Sequence, residues 1–168
     1  MLDKVMRGRV FKFGDGVSTD LIIPGRYAHL RSNLPELTKH VMEDADAEFA
    51  GKVKPGDFIV AGTEFGLGSS REHAPLVIKL AGVSAVLAKS FARIFYRNAV
   101  NQGLPLIICD TDKIDQEDEI EINFAAGSIS NLTKGSQFTF SKLPPVMLEI
   151  LESGGLVPYI KRYGDFRF

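Results

Sequence analysis

Between residues 57 and 109 three short apolar runs alternate with two segments of helical periodicity. Asp57-Phe58-Ile59-Val60-Ala61, Val83-Ser84-Ala85-Val86-Leu87-Ala88 and Leu104-Pro105-Leu106-Ile107-Ile108-Cys109 are nearly unbroken in apolar residues. That pattern belongs to strands covered on both faces, so each run is predicted to be a buried strand. Pro75-Leu76-Val77-Ile78-Lys79-Leu80-Ala81 reads as a short helix between the first two, with Gly82 as its stop. A second helix is predicted to open with Ser90 as cap. It carries Phe91, Ile94, Phe95, Asn98 and Ala99 at i, i+3, i+4, i+7 and i+8, and ends at Gly103. Arg93 and Arg97 stand one turn apart on its less apolar face, where ion pairs are expected. Strand and helix in this alternation imply right-handed crossovers and a small parallel sheet, with ligands at the carboxyl ends of the strands.

The flanks read differently. Residues 8–13 partly alternate as a strand before the Gly14-Asp15-Gly16 turn, and Pro35 to Met42 reads as a short helix with Pro35 in its first turn. The acidic run from Asp110 to Glu121 is expected to be a solvated face. Glu119 to Phe124, Ser128 to Leu132 and Gln137 to Phe140 form a predicted β-meander packed on the α/β half. Pro144-Pro145 opens a last helix through Val146, Ile150 and Leu151, stopped by Gly154-Gly155, and the tail after Lys161 has no assignment. The fold class is therefore α/β, a small parallel sheet with crossover helices plus a β-meander, in one domain spanning residues 1–168.

The segment joining the first strand to the first helix is Gly62-Thr63-Glu64-Phe65-Gly66-Leu67-Gly68-Ser69-Ser70-Arg71-Glu72-His73-Ala74. Amides at a helix start lack intrahelical acceptors and lie at the positive end of the dipole, so the turn favours an anion. Three glycines allow close backbone approach, while Ser69, Ser70 and Arg71 add two hydroxyls and a fixed fork of donors. A carboxylate or phosphate cradle is one reading. A tight strand-to-helix turn with Ser70 as N-cap accounts for the same residues. The segment is not a P-loop, a dinucleotide fingerprint or a hydrolase elbow, since each lacks a required residue here.

Charge and cysteine content narrow the function classes. The net charge is −1, from 20 basic and 21 acidic side chains, so no broad positive field exists for nucleic acid or an anionic membrane. A single cysteine, Cys109, is too few for an intrachain disulfide or for an iron–sulfur cluster held by this chain alone. The 45% hydrophobic content is enough for a core. The charged start (Asp3, Lys4, Arg7, Arg9) and the absence of a long apolar run lead to the expectation of a cytoplasmic protein. His29 and His40 have no partner at metal-ligand spacing, so no metal site is expected.

Gly66 to Ala74, Ala88-Lys89-Ser90-Phe91-Ala92-Arg93-Ile94-Phe95-Tyr96-Arg97-Asn98 and Gly103-Leu104-Pro105 together resemble the swivelling domain of the aconitase superfamily. So do Gly14 to Tyr27, Val53 to Asp57 and Gly154 to Tyr159. The resemblance runs from about residue 8 to about residue 162 and is closest to the free-standing small subunits of 3-isopropylmalate dehydratase and homoaconitase. It implies β/β/α layers and a partner large subunit carrying a 4Fe–4S cluster. The reaction it implies removes water from a 2-hydroxy di- or tricarboxylic acid and returns it one carbon over. Isopropylmalate leads over homoaconitate, with citraconate or dimethylmaleate as further candidates. By this likeness Ser69 is the base, acting as an alkoxide, and Ser70 and Arg71 bind a substrate carboxylate. Arg26 is a second carboxylate contact, and Asp15 and Asp20 are positioning residues near the cleft. Gly68, Glu72 and His73 would support these groups without touching the reacting atoms. The family's loop here helps select the substrate side group, and Arg31 resembles its homoaconitase-type arginine; Tyr27-Ala28-His29-Leu30-Arg31 is two residues longer than the common Tyr-Leu-Arg form. A regulatory domain that kept a carboxylate cradle without catalysis is the reading from another class. The presence of both serine hydroxyls argues against it.

Overall fold

The computed structural model describes residues 5–167, so the predicted charged start at Asp3 and Lys4 lies outside the described residues. In chain order the elements are β1 (Val5–Lys12), α1 (Thr19–Ile22), α2 (Leu34–Thr38), α3 (Phe49–Lys52), β2 (Phe58–Val60), α4 (His73–Leu80) and β3 (Ala85–Ala88). Then follow α5 (Arg93–Gln102), β4 (Leu106–Ile108), β5 (Glu119–Asn123), β6 (Ser128–Asn131), β7 (Ser136–Thr139), α6 (Pro145–Glu152) and α7 (Leu156–Tyr163). The strands form one seven-stranded sheet in the order β4-β3-β2-β1-β5-β6-β7.

β1 joins two kinds of sheet. It pairs in parallel with β2, Val10 opposite Phe58, and antiparallel with β5, Met6 opposite Ile122. β2, β3 and β4 continue in parallel, whereas β5, β6 and β7 form the antiparallel meander. Alternate residues of the parallel strands enter two separate cores, because successive side chains leave opposite faces of a strand. Phe11, Ile59, Val86 and Leu106 pack with Val77 and Ile78 of α4 and Phe95 and Ala99 of α5. Val10, Phe58, Val60, Leu87 and Ile107 pack instead with Ile120, Ile122, Ile129 and Phe138. The meander therefore curls back over the face that the helices leave open, and the layers run helices, parallel strands, meander. The near-continuous apolar runs of β2 and β3 follow from this double coverage.

Some boundaries moved for identifiable reasons. α5 begins at Arg93 with Ala92 at its cap position, and Ser90 does not cap it. The Ser90 hydroxyl instead accepts from the Glu64 amide at 2.8 Å, while Phe91 makes an isolated parallel bridge to Phe65 that keeps residues 90–92 extended. Arg93 and Arg97 are exposed and make no ion pair among the described residues, contrary to the sequence expectation. α2 is capped by the Asn33 carboxamide oxygen, which accepts from Glu36, and it ends at Thr38 rather than running to Met42. Met42 is left-handed at φ 59° and buried, donating its amide to Ile22 O at 2.8 Å. α7 was not anticipated: Pro158 and the two preceding glycines mask it, and Tyr159, buried against Val100 and Ile150, anchors it with Leu156, Ile160 and Tyr163 packed around.

Phe58 has no exposed surface and lies in the core shared by the parallel strands and the meander. Phe58→Ala is expected to cost about 3–5 kcal/mol in urea unfolding, with the m-value unchanged.

Candidate active site

The loop from Gly62 to Arg71 is held as a strand-like ribbon between two neighbours. On one side Gly62 donates to Gly14 O (3.1 Å), Gly16 to Thr63 O (2.8 Å), Gly66 to Val17 O (2.7 Å) and Thr19 to Leu67 O (2.8 Å). On the other, Phe65 donates to Ser90 O (3.1 Å) and Ala92 to Phe65 O (3.0 Å). Asp15 fastens the start of the ribbon by accepting from the Thr63 amide at 2.7 Å. Gly66 is required at its place: φ is +86°, and a Cβ would sit 2.1 Å from Phe95 Cγ. The ribbon thus lies directly on the ring of Phe95, with Phe65 buried edge-on against it.

This backbone delivers Ser69, Ser70 and Arg71 to the end of the parallel strands, ahead of α4. The cap position of α4 is Glu72, so Ser70 is not its N-cap. Ser69 Oγ lies 3.3 Å from the Thr19 hydroxyl, a buried group that sequence reasoning passed over because nothing in its spacing marks it. Arg71 Nη1 donates to Asp20 Oδ1 (3.1 Å) and to Ile23 O (2.8 Å), and the same Asp20 oxygen accepts from the Gly25 amide (3.1 Å). One corner of the guanidinium is thereby fixed, while Nε and Nη2 have no partner among the described residues. The amides of Ser69, Ser70, Glu72 and His73 likewise donate to no acceptor among them. A fixed guanidinium edge and a row of unfilled donors are chemically suited to an anion.

A cavity of about 450 Å³ opens at this point. One segment lines it with Ser69, Ser70, Arg71, Glu72 and His73. The facing segment contributes Ile23, Pro24, Tyr27, Ala28 and Arg31, with Leu37 behind them. Gly68, left-handed at φ +110°, backs the serines against Thr19. Arg31 reaches the lining, although its Nε donates to Ala28 O at 3.0 Å. Arg26 does not join the lining. It forks onto Asp44 at 2.9 and 2.7 Å and reaches Glu43 at 3.1 Å, and the hydrogen bonding to Asp44 holds its guanidinium well above the ordinary arginine range. Of the proposed contacts, Ser69, Ser70, Arg71 and Arg31 therefore share one cavity and Arg26 does not. Tyr27 and the apolar lining residues were not singled out in the sequence, since apolar residues near a turn read as core.

The family model of the aconitase C-terminal domain matches residues 17–110, more than half of the chain. The chain belongs to that family. It is 64% identical over 162 residues, 96% of this chain and 98% of the relative, to "3-isopropylmalate dehydratase small subunit 2" of Archaeoglobus fulgidus. It is 55% identical over 160 residues, 94% of this chain and 95% of the relative, to "Isopropylmalate/citramalate isomerase small subunit" of Methanocaldococcus jannaschii. Among solved structures, that of a 3-isopropylmalate dehydratase from Methanocaldococcus jannaschii matches with a TM-score of 0.92 at 47% identity, covering 96% of each chain. The curled mixed sheet is thus the aconitase-type fold, as the sequence resemblance implied.

The residues of this aconitase-family chain do not fit an iron–sulfur cluster. Cys109 is its one cysteine, and burial pushes that thiol up to about 12, far from the thiolate that metal ligation needs. No group of three or more His, Cys, Asp or Glu among the described residues could hold a metal ion.

Because Gly66 can carry no side chain without displacing Phe95, Gly66→Ala is expected to lower stability by about 3 kcal/mol or more. Chemical denaturation followed by tyrosine fluorescence would read the loss.

Proposed function

We propose that this chain is the small subunit of a two-subunit hydro-lyase that interconverts hydroxy acids by dehydration and rehydration, with 3-isopropylmalate as substrate. The observation that carries the reading is the two-sided cavity. Ser69, Ser70 and Arg71 offer anion-binding donors on one segment, and Ile23, Pro24, Ala28 and Leu37 offer apolar surface from the other. A carboxylate suits the first and a branched alkyl group the second. The names of the relatives, small subunits of 3-isopropylmalate dehydratase, support the same substrate.

In this reading Arg71 binds a substrate carboxylate through Nε and Nη2, its Nη1 being engaged by Asp20 and Ile23. The Ser70 hydroxyl donates to the same carboxylate. Ser69 Oγ takes the proton from the carbon beside it. A serine hydroxyl is a weak acid, so its anion needs the nearby guanidinium, the unfilled amides and the Thr19 hydroxyl to stabilise it. Gly68, Glu72 and His73 shape this corner. The complementary Lewis acid, a 4Fe–4S cluster acting on the leaving hydroxyl, is assigned to the large subunit. No described helix is long and apolar enough to cross a membrane, and we place the assembly in the cytoplasm. A second reading, cis-homoaconitate as substrate, is favoured by Arg31 alone, which lines the cavity and whose two terminal nitrogens have no partner among the described residues.

The chain mixed anaerobically with its large subunit is expected to hydrate 2-isopropylmaleate at least about tenfold better in kcat/KM than cis-homoaconitate, citraconate or dimethylmaleate, and to be inactive alone. Preference for cis-homoaconitate would transfer the assignment to the second reading. In the same assay Ser69→Ala is expected to lower kcat by about 10²–10⁴ with KM within a few-fold, whereas retained turnover would remove Ser69 from the role of base.

A further inference from the structure

The facing segment of the cavity poses a packing problem. Gly25–Leu30 is a single 3₁₀ segment with no buried residue; only Tyr27 and Leu30 lean half-buried on the core, a loose hold on the distance between Tyr27, Ala28 and Arg31 and the serines opposite. Beyond the Gly25 amide bond to Asp20, the polar contacts that hold it come from residues 40–44. The Tyr27 ring stacks on the His40 ring with centroids 3.8 Å apart and planes 13° from parallel. Its hydroxyl donates to Glu43 Oε2 at 2.6 Å, and the other Glu43 oxygen lies 3.3 Å from His40 Nδ1. Arg26 spans Asp44 bidentately, touches Glu43, and lies with its guanidinium carbon 4.8 Å from the centre of the Tyr27 ring. The Tyr27 hydroxyl holds the Glu43 carboxyl below its usual range, and Arg26 does the same for Asp44, so both acceptors are ionised at neutral pH.

Residues 40–44 are themselves fixed. Val41 and Met42 have no exposed surface, and the Met42 amide is bonded to Ile22 at the end of α1. The cluster therefore ties an exposed cavity wall to the core across 16 to 18 residues of sequence. It differs from the isolated surface pairs Lys39–Glu36 and Lys52–Glu48, which join neighbours within one turn and constrain little. A bidentate fork, a short phenol–carboxylate bond and a ring stack sharing the same residues form a network, in which surface charges do contribute.

We propose that Glu43 and Asp44 are positioning residues: through Tyr27 and Arg26 they set the distance of the 25–31 wall from Ser69, Ser70 and Arg71, and so the fit of the substrate's side group. They touch no substrate themselves. For what enters the cavity, the inference rests on the hydro-lyase reading above. The anchor itself rests on geometry alone.

The test uses the assembled two-subunit enzyme with Glu43→Gln, Asp44→Asn and the double variant. Each single change is expected to raise KM for 2-isopropylmaleate about 3–10-fold and to erode its preference over citraconate to a similar degree, with kcat within about twofold. The double variant should cost less than the product of the two, because both act on one network. In the isolated chain, amide hydrogen exchange of residues 25–31 should accelerate about 3–10-fold in the variants, with the strands of the sheet unchanged. Unchanged KM and selectivity, or a fall in kcat alone, would overturn the positioning role; unchanged exchange at 25–31 would overturn the anchor. If the wild-type assembly hydrates none of the panel, the hydro-lyase reading fails while the exchange measurement still decides whether the anchor exists.

Discussion

The site depends on one constraint: the backbone of Gly62–Leu67 is hydrogen-bonded on both edges while resting on Phe95 through a glycine. A loop of this length, free on the surface, would sample many conformations, and fixing it would cost about 1–2 kcal/mol per residue. Here the cost is met by partners that the fold supplies for other reasons. Residues 14–19 leave β1, and residues 90–92 leave β3, both at the end of the sheet where β2 also ends. Their carbonyls and amides take their partners from the ribbon where it passes, so satisfying them and ordering the loop are one event.

Order in the ribbon leaves its far end underfilled. The amides of Ser69, Ser70, Glu72 and His73 and two guanidinium nitrogens of Arg71 lack acceptors among the described residues, although the ribbon before them is bonded to neighbours on both edges. Folding alone does not need that arrangement, since helix starts are ordinarily capped by a side chain, and α4 has none. Preorganised donors of this kind favour negative charge without moving when it arrives. Asp20 has the corresponding task on the other side, turning Arg71 so that one edge is spent on the protein and the other is presented to the cavity.

The two walls of the cavity are held by different physics. The serine wall follows from backbone pairing and glycine packing, and the loop wall from a surface cluster of ring and charge around Tyr27. Backbone pairing is insensitive to side-chain identity, so the chemistry stays put. Side-chain clusters can be exchanged residue by residue, which suits the wall proposed to face the variable part of a substrate.

The parallel half of the sheet was readable from the chain because double-sided burial leaves an unbroken apolar run, as in Phe58–Ala61 and Ala85–Ala88, and because Gly82 and Gly103 stop the helices by adopting positive φ. The meander was readable from alternation, with Ile120, Ile122 and Ile129 facing inward. Residue identity in the Gly66–Ala74 run picked out the corner where amides and guanidinium nitrogens without partners among the described residues collect. Tertiary structure decided what each polar side chain does. Ser90 tethers a loop instead of capping α5, Thr19 stands beside Ser69, and Arg26 serves the anchor while Arg71, an arginine no different in the sequence, serves the cavity. Periodicity records how much of an element is buried, a property of neighbours along the chain. The partner of a long polar side chain is set by residues 16 to 51 positions away, and only the folded backbone brings those together.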